Sequence, residues 1–231
     1  DKFDAFLSKL ATDEGCMLIQ SNGLKDLSIE KDAATCILSN NQIIIARIVI
    51  GADGVTSLVA RKSGIRQKWK ANEVGLCLET SIALPECEMK KIDSDAFEVY
   101  FIDALRGYSW LFPKKSSISV GIGSFLSNIY RPNEVLLSFC KSISKTKKLE
   151  IYPRNITAHL IPAGGFNRNI VANRIMLVGD AAGFVDSFTG EGIYYALKSG
   201  QLAASASIQS IEKSNFSAAF LEKHYSQVCN Q

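Results

Sequence analysis

The chain has 231 residues, a formal net charge of +3, and 47% hydrophobic against 21% charged residues. That is the make-up of an ordinary globular protein, long enough for a sizeable core and one or two domains, and it excludes a disordered chain. No dense basic run points to nucleic acid, and no apolar run reaches the roughly 18 residues of a membrane-spanning helix.

The cysteines, Cys16, Cys36, Cys77, Cys87, Cys140 and Cys229, form no CxxC pair, and His159 and His224 are the only histidines. No metal site is expected, and no secretory signal is visible at the start. Reduced thiols in a cytoplasmic protein are the simplest reading. A Cys77–Cys87 pair across neighbouring strands stays open.

Residues 1–14 carry Phe3, Phe6, Leu7 and Leu10 at helical spacing and predict an amphipathic helix. Short strands are expected over 16–20, 24–30, 34–39 and 42–50, separated by polar turns such as Ser21-Asn22-Gly23. The run ending at Ile50 leads into Gly51, Asp53 and Gly54, then a helix begins that carries Ser57 and Arg61. An aspartate at a strand end can meet a ribose or a pyrophosphate; the plainer reading is a tight turn into a helix. Gly64 is a plausible end for that helix.

An antiparallel sheet is expected over 73–84, 95–102, 107–113 and 117–124. Tyr108, Trp110 and Phe112 alternate, so a strand places them on one face. Pro113 ends the strand or bends it at an edge. On the following strand Gly121 and Gly123 share a face and leave room for something bulky. Aromatic rings beside a floor without side chains describe a slot for a long apolar ligand. The competing reading is an aromatic face packed on the domain core.

Pro132 starts a helix to about 144, and a strand over 155–161 leads into Pro162-Ala163-Gly164-Gly165. Ile175 to Val178 then form a short buried strand. Gly179 ends it and Asp180 follows at its carboxyl end, where ligands bind in open α/β sheets. Gly190 and Gly192 bracket Glu191 at the start of a helix running to about 210, and a last helix is expected over about 215–228. A carboxylate in that place can accept hydrogen bonds from sugar or ribityl hydroxyls. The helix start suits a ligand that gains negative charge.

These motifs carry a resemblance. GDAAG followed by TGEGI, over residues 179–193, is similar to the second flavin-contacting motif of the FAD-dependent oxidoreductase superfamily that includes aromatic hydroxylases. Its details resemble the geranylgeranyl reductase branch, with Ser187 where a proline is usual. Asp53-Gly54 with Ser57 and Arg61 resembles the superfamily's DG motif. Tyr108-x-Trp110-x-Phe112-Pro113, then Gly121-x-Gly123, is similar to the branch's substrate signature at every defined position. No GxGxxG follows an early strand. The resemblance therefore implies a partial chain that lacks the N-terminal segment which holds the ADP half of FAD.

The implied fold is mixed α/β: part of a Rossmann-like FAD-binding domain with a β-meander, plus an antiparallel-sheet substrate domain. Residues 1–66 and 161–231 would belong to the first and 67–160 to the second. The implied activity is reduction of carbon–carbon double bonds of geranylgeranyl or polyprenyl groups on lipids or pigment precursors. The donor is NADPH or ferredoxin, and contact with a membrane surface would be peripheral. Asp53, Gly54, Gly179, Asp180, Ala181, Ala182, Gly190, Glu191, Gly192 and Ile193 are the implied cofactor residues. Tyr108, Trp110, Phe112, Pro113, Gly121 and Gly123 are the implied substrate residues, and no proton donor is assigned. A monooxygenase or halogenase of the same superfamily, and a non-catalytic isoprenoid-binding fragment, are the alternatives.

Overall fold

The computed structural model describes residues 2–102, 106–163 and 168–230. It is mixed α/β, built on three sheets. After helix α1 (Lys2–Asp13), strands β1 (Leu24–Ile29), β2 (Ala34–Leu38) and β3 (Ile43–Ala46) form an antiparallel meander. Strand β4 (Val49–Gly51) leads through the Asp53 turn into the short helix α2 (Leu58–Lys62).

The third sheet contains β5 (Gly75–Ala83), β6 (Glu98–Ile102), β7 (Gly107–Pro113), β8 (Ser117–Phe125) and β9 (Thr157–Ile161), in the order β6-β7-β8-β5-β9. Helix α3 (Glu86–Met89) and helix α4 (Pro132–Lys147) interrupt this run of strands. Strands β10 (Val171–Ala172) and β11 (Ile175–Leu177) bring the chain back to β4, and β11 pairs with β4 in parallel. Helices α5 (Gly179–Ala182), α6 (Ile193–Glu212) and α7 (Ala218–Leu221) follow, the last continuing into a π-helical turn at Glu222–Ser226.

Two apolar cores result. Ile175, Met176, Leu177, Ala181, Ala182 and Tyr225 centre the one beneath the parallel pair. In the five-stranded sheet, alternation sends Leu111, Ile118, Val120 and Ile122 to one face, where they meet Leu136, Phe139 and Ile143 of α4. Ser109 lies fully buried on β7 between two aromatic positions. The opposite face carries the aromatic row.

Several expectations need correction. Residues 16–20 form no strand; Met17 and Leu18 are exposed and pair with nothing among the described residues. The apolar run over 42–50 is divided between two sheets. Its first half pairs with β2 and its second with β11. The break falls at Arg47, whose carbonyl accepts from the Arg174 guanidinium (3.0 Å). Arg174 also donates to Lys31 O (2.6 Å), so one buried side chain pins the crossover between the sheets. Cys77 and Cys87 are both free, one in β5 and the other exposed on α3. The final helix begins at Ala218, because Ser217 caps it and Asn215 braces the turn before it.

Tyr225 closes the first core. Its ring is fully buried and its hydroxyl donates to Leu177 O (2.5 Å), at the end of β11. Tyr225→Phe keeps the packing but leaves that carbonyl without its donor. It should lower stability by about 1–2 kcal/mol, read as a drop in melting temperature. An unchanged melt would mean that the carbonyl finds another donor.

Candidate functional site

Parallel pairing sets Leu177 beside Gly51, and Val178 N donates to Gly51 O (3.0 Å). The chain therefore leaves both strands at one end of the sheet. The turns that carry Asp53 and Asp180 both leave the sheet at that end, where open α/β sheets bind ligands.

The two aspartates are in different states. Asp53 is committed to its own helix. Its Oδ1 accepts from Ser57 Oγ (2.5 Å), and its Oδ2 from Leu58 N (2.7 Å) and Val59 N (3.0 Å). It satisfies orphan donors at the start of α2, a capping role. Asp180 is half-buried, and among the described residues no protein donor reaches its carboxylate. Burial pushes its carboxyl above the usual range. A methyl group at Gly192 would lie 3.4 Å from Asp180 Oδ1, so the GDAAG and GEGI segments meet there.

The other sequence-named residues fall around this carboxylate in varied roles. Ala181 and Ala182 are fully buried in the core, leaving only their backbone for any ligand. Gly179 N donates to Ser199 Oγ (3.0 Å), tying the turn to α6. Glu191 Oε1 accepts from Tyr194 N (2.9 Å) and caps α6, with Ile193 exposed at its first turn. The intervening loop is held by Asp186, whose Oδ1 accepts from Phe188 N (3.1 Å), Thr189 N (2.7 Å) and Thr189 Oγ1 (2.7 Å). Ser187, at the usual proline position, donates to Ala163 O and ties this loop to the end of the sheet.

The five-stranded sheet meets the loop through Tyr108, whose hydroxyl donates to Thr189 O (3.1 Å). Burial foremost, with Cys77 and Asp186 nearby, holds this phenol above its ordinary value, so it stays a neutral donor. Tyr108, Trp110 and Phe112 do form one row, with centroid spacings of 6.0 Å at each step. Two cavities open along it, of about 470 Å³ and about 440 Å³. Cys77, Phe101, Tyr108, Ile161, Phe188 and Gly190 line both, so they are compartments of one slot.

The glycine floor differs from the expectation. Trp110 pairs directly with Gly121, and its indole lies so close that a Cβ there would sit 2.1 Å from the ring. The space above Gly121 is taken by the protein's own tryptophan. Gly123 lines the larger compartment, and Pro113 lies outside both, at the strand end.

Three features escaped the sequence reading. Phe188 from the loop stacks on Phe101 of the edge strand (6.4 Å) across the slot. Arg66 donates to Ala181 O and lies 3.6 Å from the Trp69 ring centroid, while Trp69 Nε1 donates to Val55 O (2.6 Å). Burial foremost, aided by the charge of Arg168, pushes Arg66 down to about 10. This arginine–tryptophan pair braces the Asp53 and Asp180 turns against each other, and no spacing rule in the sequence announces it. The third is Glu79, which strand register alone would have placed beside Gly121.

No family model matches the chain. It is 30% identical over 241 residues to a digeranylgeranylglycerophospholipid reductase of Methanococcus vannielii, covering 99% of this chain and 60% of that protein. It superimposes with a TM-score of 0.86 on a geranylgeranyl bacteriochlorophyll reductase-like protein of Thermoplasma acidophilum, at 27% identity over 99% of this chain and 58% of the other. The halogenase PltM in complex with FAD matches at a TM-score of 0.74 and 16% identity, over 98% of this chain and 49% of that one, a likeness of fold alone. The fold is thus that of the Rossmann-like, FAD-dependent flavoproteins. Within that class its sequence and fold are similar to those of proteins named as geranylgeranyl reductases. It spans about 60% of the length of the Methanococcus vannielii relative.

Asp180 gives a prediction for the flavin-free protein. Its folded-state pKa is raised, so the cost of burying its charge is present above that value and fades as pH falls through it. Asp180→Asn should raise the melting temperature in neutral buffer, with a gain that shrinks in acidic buffer. A gain independent of pH would mean that the charge is not what the site pays to hold.

Proposed function

We propose that the whole protein is an FAD-dependent reductase that saturates carbon–carbon double bonds of geranylgeranyl or related polyprenyl groups on a lipid. The observation that carries this reading is Asp180: a half-buried carboxylate without a protein donor among the described residues, opposite Gly192, at the carboxyl end of a parallel pair. A group that bears hydroxyls would supply the missing donors, and the ribityl chain of FAD has that chemistry. The backbones of 179–182 and 190–193 would hold it, with Gly54 nearby and Asp53 shaping the turn. When bound, FAD supplies the hydride for reduction.

This chain's own residues do the rest. The slot beside the loop is apolar and open at the edge strand, where Phe97 (77% exposed), Phe101 (71%) and Phe188 (73%) stand in solvent. Such a rim suits a prenyl chain entering from a lipid surface, a peripheral contact. Among the described residues, no helix is long and apolar enough to cross a membrane. Trp110 and Phe112 would flank the chain, and Tyr108 would set its position against the 189–192 loop. Excluding water there favours hydride transfer over side reactions. The monooxygenase and halogenase likenesses share the fold, but nothing in the slot favours them.

The full-length protein should show an oxidised-flavin visible spectrum. Reduction by NADPH or by reduced ferredoxin should bleach it and so identify the donor. Colour should return on adding a geranylgeranyl lipid under anaerobic conditions. A colourless protein that FAD cannot reconstitute would refute the proposal and leave an isoprenoid-binding module. Trp110→Ala should raise KM for the lipid by about tenfold or more, given roughly 1.5–3 kcal/mol for a large apolar contact, with flavin content unchanged. Equal losses of flavin and lipid binding would assign Trp110 to the core.

A further inference from the structure

The aromatic face of the five-stranded sheet holds one carboxylate that the proposed reaction does not use. Glu79 lies on β5, directly opposite Gly121 of β8, which in turn lies opposite Trp110 of β7. These three positions form one rung across the sheet. Gly121 contributes no side chain, so the indole extends over it toward Glu79. One rung further on, Ser119 Oγ donates to Glu79 Oε1 (2.7 Å) and accepts from Trp110 Nε1 (3.3 Å).

The directions of these bonds matter. A serine hydroxyl has one proton and two lone pairs, whereas an indole N–H can only donate. Ser119 is buried, so its hydroxyl has no solvent to turn to. The Glu79 oxygen accepts the hydrogen bond from the Ser119 hydroxyl. A lone pair is thereby aimed at the indole. Lys114 Nζ, 3.8 Å from the same carboxylate oxygen, adds a matching charge.

We propose that Glu79, acting through Ser119, is the positioning residue that holds the Trp110 indole flat as a wall of the slot, and so governs how tightly a prenyl chain is gripped. The proposal rests on the slot being the prenyl site. Trp110 is itself largely buried, with 7% of its surface exposed, so a rotated indole would have to displace its neighbours or fill the smaller compartment. Phe112 stacks on one side of it and Tyr108 tilts against the other. These contacts restrain the ring, while the Nε1 bond selects which edge faces the strand. Glu79 also lines the smaller compartment, and its hold on the indole passes through Ser119.

The test uses the full-length protein with Glu79→Leu, Glu79→Gln and Ser119→Ala. This chain carries Trp69 and Trp110, and the difference between the near-ultraviolet circular dichroism of the parent and of a Trp110→Phe variant isolates the Trp110 signal. Glu79→Leu and Ser119→Ala should each diminish that signal. Each should also raise KM for a geranylgeranyl lipid about fivefold, as expected for the loss of one hydrogen bond, with kcat and flavin content kept within about twofold. Glu79→Gln retains an acceptor and should restore both readouts.

An unchanged dichroism signal in Glu79→Leu would overturn the proposal. So would Glu79→Gln behaving like Glu79→Leu, which would assign the effect to charge. If Glu79→Leu does not fold, Ser119→Ala decides alone: an unaltered signal there refutes the relay. The dichroism arm needs no substrate, so it separates failure of this inference from failure of the proposed reaction.

Discussion

The parallel pairing of β4 with β11 is the constraint on which the site depends. It joins segments far apart in the chain and fixes their register through Val178 N to Gly51 O. Because both strands run the same way, both turns open at one end, and two aspartates arrive together. β11 is buried on both faces, so slipping the register by one residue would swap its Ile-Met-Leu side chains between two differently packed layers. The apolar core thus enforces the geometry of the polar site above it.

The two aspartates show how similar sequence patterns acquire different work. Each follows a β-branched or apolar strand and a glycine. Asp53 is followed by a chain that turns immediately into α2, so its oxygens find three donors. Asp180 opens α5, a single turn packed beneath α6, and is left facing the glycine of the next motif. What distinguishes a structural carboxylate from one available to a ligand is the local supply of N–H and O–H donors.

Much of the fold could be read from the sequence, because alternation and turn residues act locally. Four strands of the five-stranded sheet, the row of Tyr108, Trp110 and Phe112, and α4 starting at Pro132 all follow from such patterns, whereas the pairing of β9 with β5 does not. The failures share a cause. The run over 42–50 looks like one strand until Arg174, remote in sequence, binds Arg47 O and divides it. Gly121 looks like open floor until register places Trp110 above it. Phe188 looks like an ordinary loop residue until the loop folds onto the edge strand and stacks it on Phe101. Each depends on a cross-chain partner that no local spacing specifies.

Tyr108 belongs to two structures at once. Its ring is a wall of the slot, and its hydroxyl holds Thr189 of the loop that faces Asp180. A chain seated in the slot that moved the ring would strain this hydrogen bond to the loop, and a ligand that shifted the loop would pull on the ring. Thermodynamic reciprocity then requires the two occupants to change each other's affinity by the same factor. If both sites are filled as proposed, one phenol would couple filling of the apolar slot to filling of the crevice.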